Sequence, residues 1–96
     1  AIALDAEYAQ AFYARGSLHA HLGNNEAAIA DFDRAIDFNP RLAAAFYSRG
    51  LALGLQNMYR KSQADFERYL ELSPRAENRE QVEALVKSLR VRRRST

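Results

Sequence analysis

The pentapeptide FYARG spans Phe12–Gly16, and the similar pentapeptide FYSRG spans Phe46–Gly50. The second pentapeptide begins 34 residues after the first. When residues 9–40 are aligned without a gap with residues 43–74, at the same offset of 34, eleven positions are identical. Self-similarity at a fixed period is the sequence signature of stacked supersecondary units. The chain is therefore predicted to contain two copies of one structural unit.

Each copy has the three-and-four spacing of apolar residues that a helix with one packed face requires. In the first copy this spacing is interrupted at Gly23-Asn24-Asn25 and stops at Asn39-Pro40. Gly and Asn tolerate the left-handed conformation that ends a helix, and Pro cannot continue one. We therefore predict four helices over residues 8–22, 25–38, 42–56 and 59–72, and a fifth over 79–91.

The residues at these spacings resemble the tetratricopeptide repeat, a family of 34-residue helix–turn–helix units. The family pattern falls in the first copy on Phe12, Arg15, Gly16, His19, Ala28, Phe32 and Pro40. In the second copy it falls on Phe46, Arg49, Gly50, Leu53, Ser62, Phe66 and Pro74. The segments DFDR and DFER look like the second helix of many bacterial members. Arg15 and Arg49 depart from the pattern, because the family has an apolar residue there.

The resemblance implies an all-α fold, an α-solenoid of antiparallel helix–turn–helix units that ends in a capping helix. We divide the single domain, 1–96, into the tail of a preceding repeat (1–8), repeat 1 (9–42), repeat 2 (43–76), and a capping helix with a basic tail (77–96). Because the sequence does not begin with Met, we interpret it as a segment of a longer protein.

The signature residues have a packing role in this interpretation. Phe12 and Phe46 are expected to fill the space between paired helices. Gly16 and Gly50 are expected to let a neighbouring helix approach, since a helical Gly costs about 1 kcal/mol relative to Ala and needs a packing reason.

The family's concave groove, lined by the first helix of each unit, is implied to bind a peptide or protein partner. By position the groove residues are Gln10, Tyr13, Ser17, His21, Tyr47, Leu51 and Leu55. Some members clamp a peptide's terminal carboxylate with Lys and Asn, but the matching places here hold Tyr13, Ser17 and Ser48. We therefore expect aromatic and aliphatic anchoring. The open alternative is that neighbouring repeats or a second copy of the chain cover these residues, and a homodimer through the groove or the N-terminal end is predicted.

The sequence offers little for catalysis, metals or cofactors, and we predict none. There is no Cys, and His19 and His21 are two residues apart on a helix, so they point to different sides. Arg15 and Arg49 allow two interpretations, a cationic site for an acidic peptide or internal pairs with Asp31, Asp33 or Asp65. The recurrence of Arg and Asp at one spacing favours the internal pairs.

Charge is distributed unevenly. Residues 1–74 contain seven Lys and Arg against nine Asp and Glu, whereas residues 75–96 contain seven against three. Two alternatives to a groove-binding module therefore stay open: binding of nucleic acid or an acidic surface through Arg90, Arg92, Arg93 and Arg94, and a structural spacer in a longer solenoid. The tail is short and has no interleaved aromatic residue, which disfavours nucleic acid. No apolar run predicts a membrane span, and the lack of Cys favours a reducing compartment such as the cytoplasm without deciding it.

Overall fold

The computed structural model describes residues 2–95, and side chains over residues 5–92. This part of the chain forms five helices and no strand. The helices are α1 (Ile2–His21), α2 (Asn25–Phe38), α3 (Ala43–Leu55), α4 (Tyr59–Leu72) and α5 (Arg79–Ser95). The helix α1 packs on α2, α3 packs between α2 and α4, and α5 packs on α4. The predicted all-α helical repeat is therefore confirmed.

Two predicted helix boundaries were wrong. The helix α1 begins at Ile2 rather than near residue 8, and α5 continues to Ser95 rather than ending near residue 91. By the repeat alignment, Asp5 and Ala6 stand where the first unit has Asn39 and Pro40. Because position 6 lacks the proline that stops α2, the helix runs through this segment without a break.

The turns inside the two units are built alike. Gly23 has φ +84° and Asn57, at the equivalent position of the second unit, has φ +63°, so both occupy the left-handed region. The amide of the following residue, Asn24 or Met58, donates to the carbonyl of His19 or Leu53 at 2.8 and 2.9 Å. This is the Schellman arrangement, which satisfies carbonyls that the helix end leaves free. The antiparallel direction of each helix pair follows from this turn.

Within each unit a phenylalanine of the second helix lies against a glycine of the first. Phe32 is fully buried and Phe66 is 2% exposed. A Cβ added to Gly16 would lie 2.8 Å from Phe32 Cε1, and one added to Gly50 would lie 3.0 Å from Phe66 Cε1. Real Cβ atoms do not approach a ring as closely as 2.8 Å, so only glycine permits the spacing at position 16. At position 50 an added Cβ would make a tight contact that requires the Phe66 ring to shift by a few tenths of an ångström.

Small residues on the second helices complete this contact. Ala28 and Ser62 are fully buried at equivalent positions. The Ser62 hydroxyl donates to the Gly50 carbonyl at 2.6 Å, which satisfies a polar group that is completely removed from water.

The helix α5 packs on α4 alone among the described elements. Val82, Val86 and Leu89 form one buried cluster with Phe66. The Tyr69 hydroxyl donates to Asn78 Oδ1 at 2.7 Å and fixes the chain just before α5 begins. The residues Glu80, Glu83, Lys87 and Arg90 of α5 are polar and exposed.

Replacing the glycines tests this packing. We expect Gly16→Leu and Gly50→Leu to lower the free energy of unfolding by about 1–3 kcal/mol or more, because each overpacks a ring contact. Ala14→Leu is the matched control, since Ala14 is an exposed position of the same helix α1. Urea melts of the three variants measure the difference. Equal stability of all three would show that the glycine contacts are not tight in solution.

Candidate functional site

The arginines that depart from the family pattern form internal ion pairs. Arg15 donates from Nε and from its terminal nitrogen to both carboxylate oxygens of Asp31, each at 2.8 Å. Arg49 binds Asp65 with the same geometry and distances. In both units the partners are 16 residues apart, and both aspartates are buried. The prediction of a repeated internal pair is confirmed.

Arg49 also joins the two units. Its remaining terminal nitrogen donates to Asp33 Oδ1 at 2.8 Å, and Asp33 belongs to α2 of the first unit. One guanidinium thus binds a carboxylate within its own unit and another in the preceding unit. An arginine suits this task because its planar group presents five donors in a fixed fork.

These pairs change the ionisation of their members. The hydrogen bonds from Arg15 hold the pKa of Asp31 below its ordinary value, against the opposing effect of burial. The hydrogen bonds to Asp65 raise the pKa of Arg49 above its ordinary value. Both groups therefore keep their charge near neutral pH.

Two adjoining cavities lie along α3. The first, of about 310 Å³, lies between α1, α2 and α3, and its lining includes Ser17, His21 and Ser48. The second, of about 380 Å³, lies between α3, α4 and α5, and its lining includes Gly54 and Leu85. Both are also lined by Leu51 and Leu55, which are 42% and 72% exposed. We call this continuous surface the groove.

The structure divides the seven predicted groove residues into three groups. Ser17, His21, Leu51 and Leu55 line the cavities. Tyr13 and Tyr47 are half-buried and lie against the second helices, with ring centroids 5.9 Å from Phe32 and 5.8 Å from Phe66. Gln10 is exposed and lines neither cavity. The tyrosines are therefore placed to support the groove wall.

The sequence interpretation missed the groove residues that come from α5. Leu85, Ser88 and Arg92 line the second cavity. Leu85 is 38% exposed and borders the cavity, whereas Val82, Val86 and Leu89 pack on α4. The signal available in the sequence was the three-and-four spacing of Leu85, Ser88 and Arg92, which places them on one side of α5.

The basic C-terminal segment is partly engaged by the rest of the chain. Arg90 lies 3.7 Å from Glu67, and the Arg92 guanidinium lies 5.7 Å from the centroid of the Tyr59 ring. The side chains of Arg93 and Arg94 lie outside the described residues.

The histidines do not form a shared site. His19 is half-buried, with Nε2 3.7 Å from Asp31 Oδ2, whereas His21 is exposed. Over the described residues, no group of three or more His, Asp or Glu side chains is arranged to hold a metal ion. No described helix is long and apolar enough to cross a membrane.

The helix pairs, the glycine contacts and the groove define a helical-repeat scaffold. Two family models, described as "TPR repeat" and "Tetratricopeptide repeat", match residues 18–57 and 43–75. The chain belongs to the tetratricopeptide-repeat family, as its resemblance implied. No curated protein matches the sequence.

A solved structure shares this fold. The chain is similar to the "First TPR of Spaghetti (RPAP3) bound to HSP90 peptide SRMEEVD", with a TM-score of 0.73 and 24% sequence identity. The similarity covers 81% of this chain and 63% of that one. At this identity the likeness shows the fold.

Lowering the pH should reduce the stability of the fold, because Asp31 becomes protonated and loses its ion pair with Arg15. The pKa of Asp31 is depressed in the folded state, so the stabilisation is complete above the unfolded-state pKa of about 3.9 and is lost as pH falls through the folded pKa. We expect the urea midpoint to fall progressively below about pH 5. Asp31→Asn should be less stable at pH 7 and lose less on acidification. Parallel pH profiles for the variant and the parent chain would contradict the assignment.

Removing the Arg49 side chain should be more damaging than removing either carboxylate that it binds. Arg49→Met leaves Asp65 buried without a counter-charge and also breaks the link to Asp33. We expect a loss of about 3–5 kcal/mol. The double variant Arg49→Met/Asp65→Leu should recover part of that loss, because it removes the unpaired charge. Denaturant melts of the single and double variants measure the recovery; no recovery would show that the lost link to Asp33 dominates.

Proposed function

We propose that the chain is a non-catalytic protein-interaction module that binds a segment of a partner protein along the groove. The observation that carries this proposal is the position of Leu51 and Leu55. Both side chains are substantially exposed on one face of α3, and each borders both cavities. Exposed apolar side chains beside concave surfaces are typical of protein-binding sites.

The lining supports apolar anchoring of the bound segment. The second cavity is bounded by Leu51, Leu55, Leu85 and Leu89, with Gly50 and Gly54 contributing no side chain to its wall. A leucine, methionine or phenylalanine side chain of a partner would displace water from this space. Each such anchor, when fully desolvated, contributes on the order of 2 kcal/mol to binding.

The terminal carboxylate of a peptide is not the main recognition element in this proposal. Where some relatives carry a Lys and Asn clamp, this chain has Tyr13, Ser17 and Ser48. None of these side chains carries a positive charge at neutral pH. Binding of the HSP90 peptide is a property of the protein in the similar structure. We expect this chain to prefer internal segments of a partner that carry large apolar residues.

Selection from a displayed library of random linear peptides tests the proposal without knowledge of the natural partner. We expect the chain to enrich peptides that carry two or more large apolar residues. Leu55→Glu should weaken binding of a selected peptide by about tenfold or more, because it places a charge in the apolar groove. Leu22→Glu is the matched control, since Leu22 is 64% exposed and lines neither cavity.

The outcomes separate the alternatives. Binding that is lost equally in both variants would argue against the groove. Failure to enrich any peptide would favour a structural spacer. Enrichment of acidic peptides whose binding disappears at 0.5 M salt, about five times the ionic strength at which the Debye length is 10 Å, would instead favour the basic segment.

A further inference from the structure

The two complete units differ in how much of the first helix is covered. The side of α3 that faces α2 is largely buried. Ala45 is fully buried, Ala52 is 2% exposed and the Arg49 side chain is 21% exposed. The equivalent residues of α1, one repeat earlier, are Ala11, Arg15 and Leu18. We call them the outer face of α1. Ala11 is exposed, the Arg15 side chain is 62% exposed and Leu18 is 57% exposed.

The interface between α2 and α3 shows what this kind of face binds. Asp33 of α2 accepts a hydrogen bond from Arg49, and Ile29, one turn earlier, lines the same cavity as Leu53, one turn later. The two helices therefore run antiparallel, with an acidic and an aliphatic residue on the docking side of α2. Arg15 has the same pairing within its own unit as Arg49, but no second carboxylate among the described side chains bonds to it.

We propose that the outer face of α1 docks an antiparallel amphipathic helix that presents an aspartate or glutamate to Arg15. One turn before that acid, where α2 has Ile29 beside Leu53, the docked helix would meet His19, which stands where α3 has Leu53. The carboxylate of the docked helix would accept a hydrogen bond from a terminal nitrogen of Arg15. This nitrogen corresponds to the one that Arg49 uses to bind Asp33. This surface is separate from the groove, because Ala11, Arg15 and Leu18 line neither cavity.

The docked helix would differ from α2 in one respect. Leu18 stands where α3 has Ala52, and Ala52 is packed closely. A helix that binds α1 therefore needs a small residue opposite Leu18, or it lies farther from α1 than α2 lies from α3. Truncating Leu18 to alanine should bring the face closer to the geometry of α3 and should not weaken docking.

A synthetic helix copied from α2 is a direct probe. The peptide spans residues 24–40, carries Phe32→Gln so that it cannot replace α2 in its own unit, and is stapled between positions 30 and 34, which lie outside the buried face of α2. Circular dichroism first verifies its helicity. Titration into the ¹⁵N-labelled chain should then shift the amide resonances of the outer face of α1 in a saturable way.

Matched variants identify the contacts. The Asp33→Asn peptide should bind roughly tenfold more weakly, since it loses a charge-assisted hydrogen bond. In the labelled chain, Leu18→Glu should abolish binding, Leu18→Ala should preserve or improve it, and the groove variant Leu55→Glu should leave it unchanged. Each labelled chain keeps the Arg15–Asp31 pair, so its fold can be checked by its own spectrum.

Several results would overturn the proposal. One is the absence of shifts at about 1 mM helical peptide, a concentration that detects even binding of about −4 kcal/mol. Another is equal affinity of the Asp33→Asn peptide. Shifts confined to the groove and lost in Leu55→Glu would assign the peptide to the other surface. Concentration-dependent shifts of the outer face without peptide would show that a second copy of the chain occupies it.

Discussion

The contact between a glycine of one helix and a phenylalanine of the next determines the spacing in both units. Phe32 lies so close to Gly16 that an added Cβ would collide with its ring, and Phe66 leaves space for only a tight contact at Gly50. Burying each ring stabilises the chain by about 1.5–3 kcal/mol, which exceeds the helix-propensity cost of the glycine. This contact fixes the separation of the paired helices, the turn fixes their antiparallel direction, and the groove residues Leu51 and Leu55 lie on α3, the first helix of the second pair.

A second set of interactions relates one unit to the next. The ring contacts act within a unit, whereas Arg49 spans two units by binding Asp65 and Asp33 together. A buried ion pair is weak evidence of net stability, because desolvation of the charges offsets much of their attraction. The bidentate geometry of the Arg49–Asp65 pair fixes the relative position of α3 and α4 within the second unit, and the single hydrogen bond to Asp33 links that unit to the first. The apolar contacts contribute most of the stability.

The sequence predicted the features that depend on packing within the repeated unit. The helix bounds of α2 and α4, the tight glycine contacts and the Arg–Asp pairs all follow from spacing that recurs from the first unit to the second. Features that depend on non-repeating contacts were missed. The start of α1 was placed too late, although position 6 lacks a proline, and the rotation of α5 that brings Leu85 to the second cavity cannot be derived from a helix pair. Gln10, also predicted as a groove residue, is exposed and lines neither cavity.

Comparison of the two units separates packing from surface roles. The glycine, phenylalanine, arginine and aspartate that make the ring and ion-pair contacts are identical in both units, because the same interior geometry must be satisfied twice. The positions that line the groove differ: Ser17 and His21 in α1 correspond to Leu51 and Leu55 in α3. The internal packing does not impose these differences, since all four side chains border open space.

The groove consequently changes in polarity along its length. It is polar beside α1, apolar across α3 and the near side of α5, and ends at the Arg92 guanidinium above Tyr59. Under the proposed function, a bound segment would place its apolar residues over α3, and an acidic residue beyond them would meet Arg92. A surface with this gradient distinguishes the two directions of a bound chain, which a uniformly apolar groove could not do.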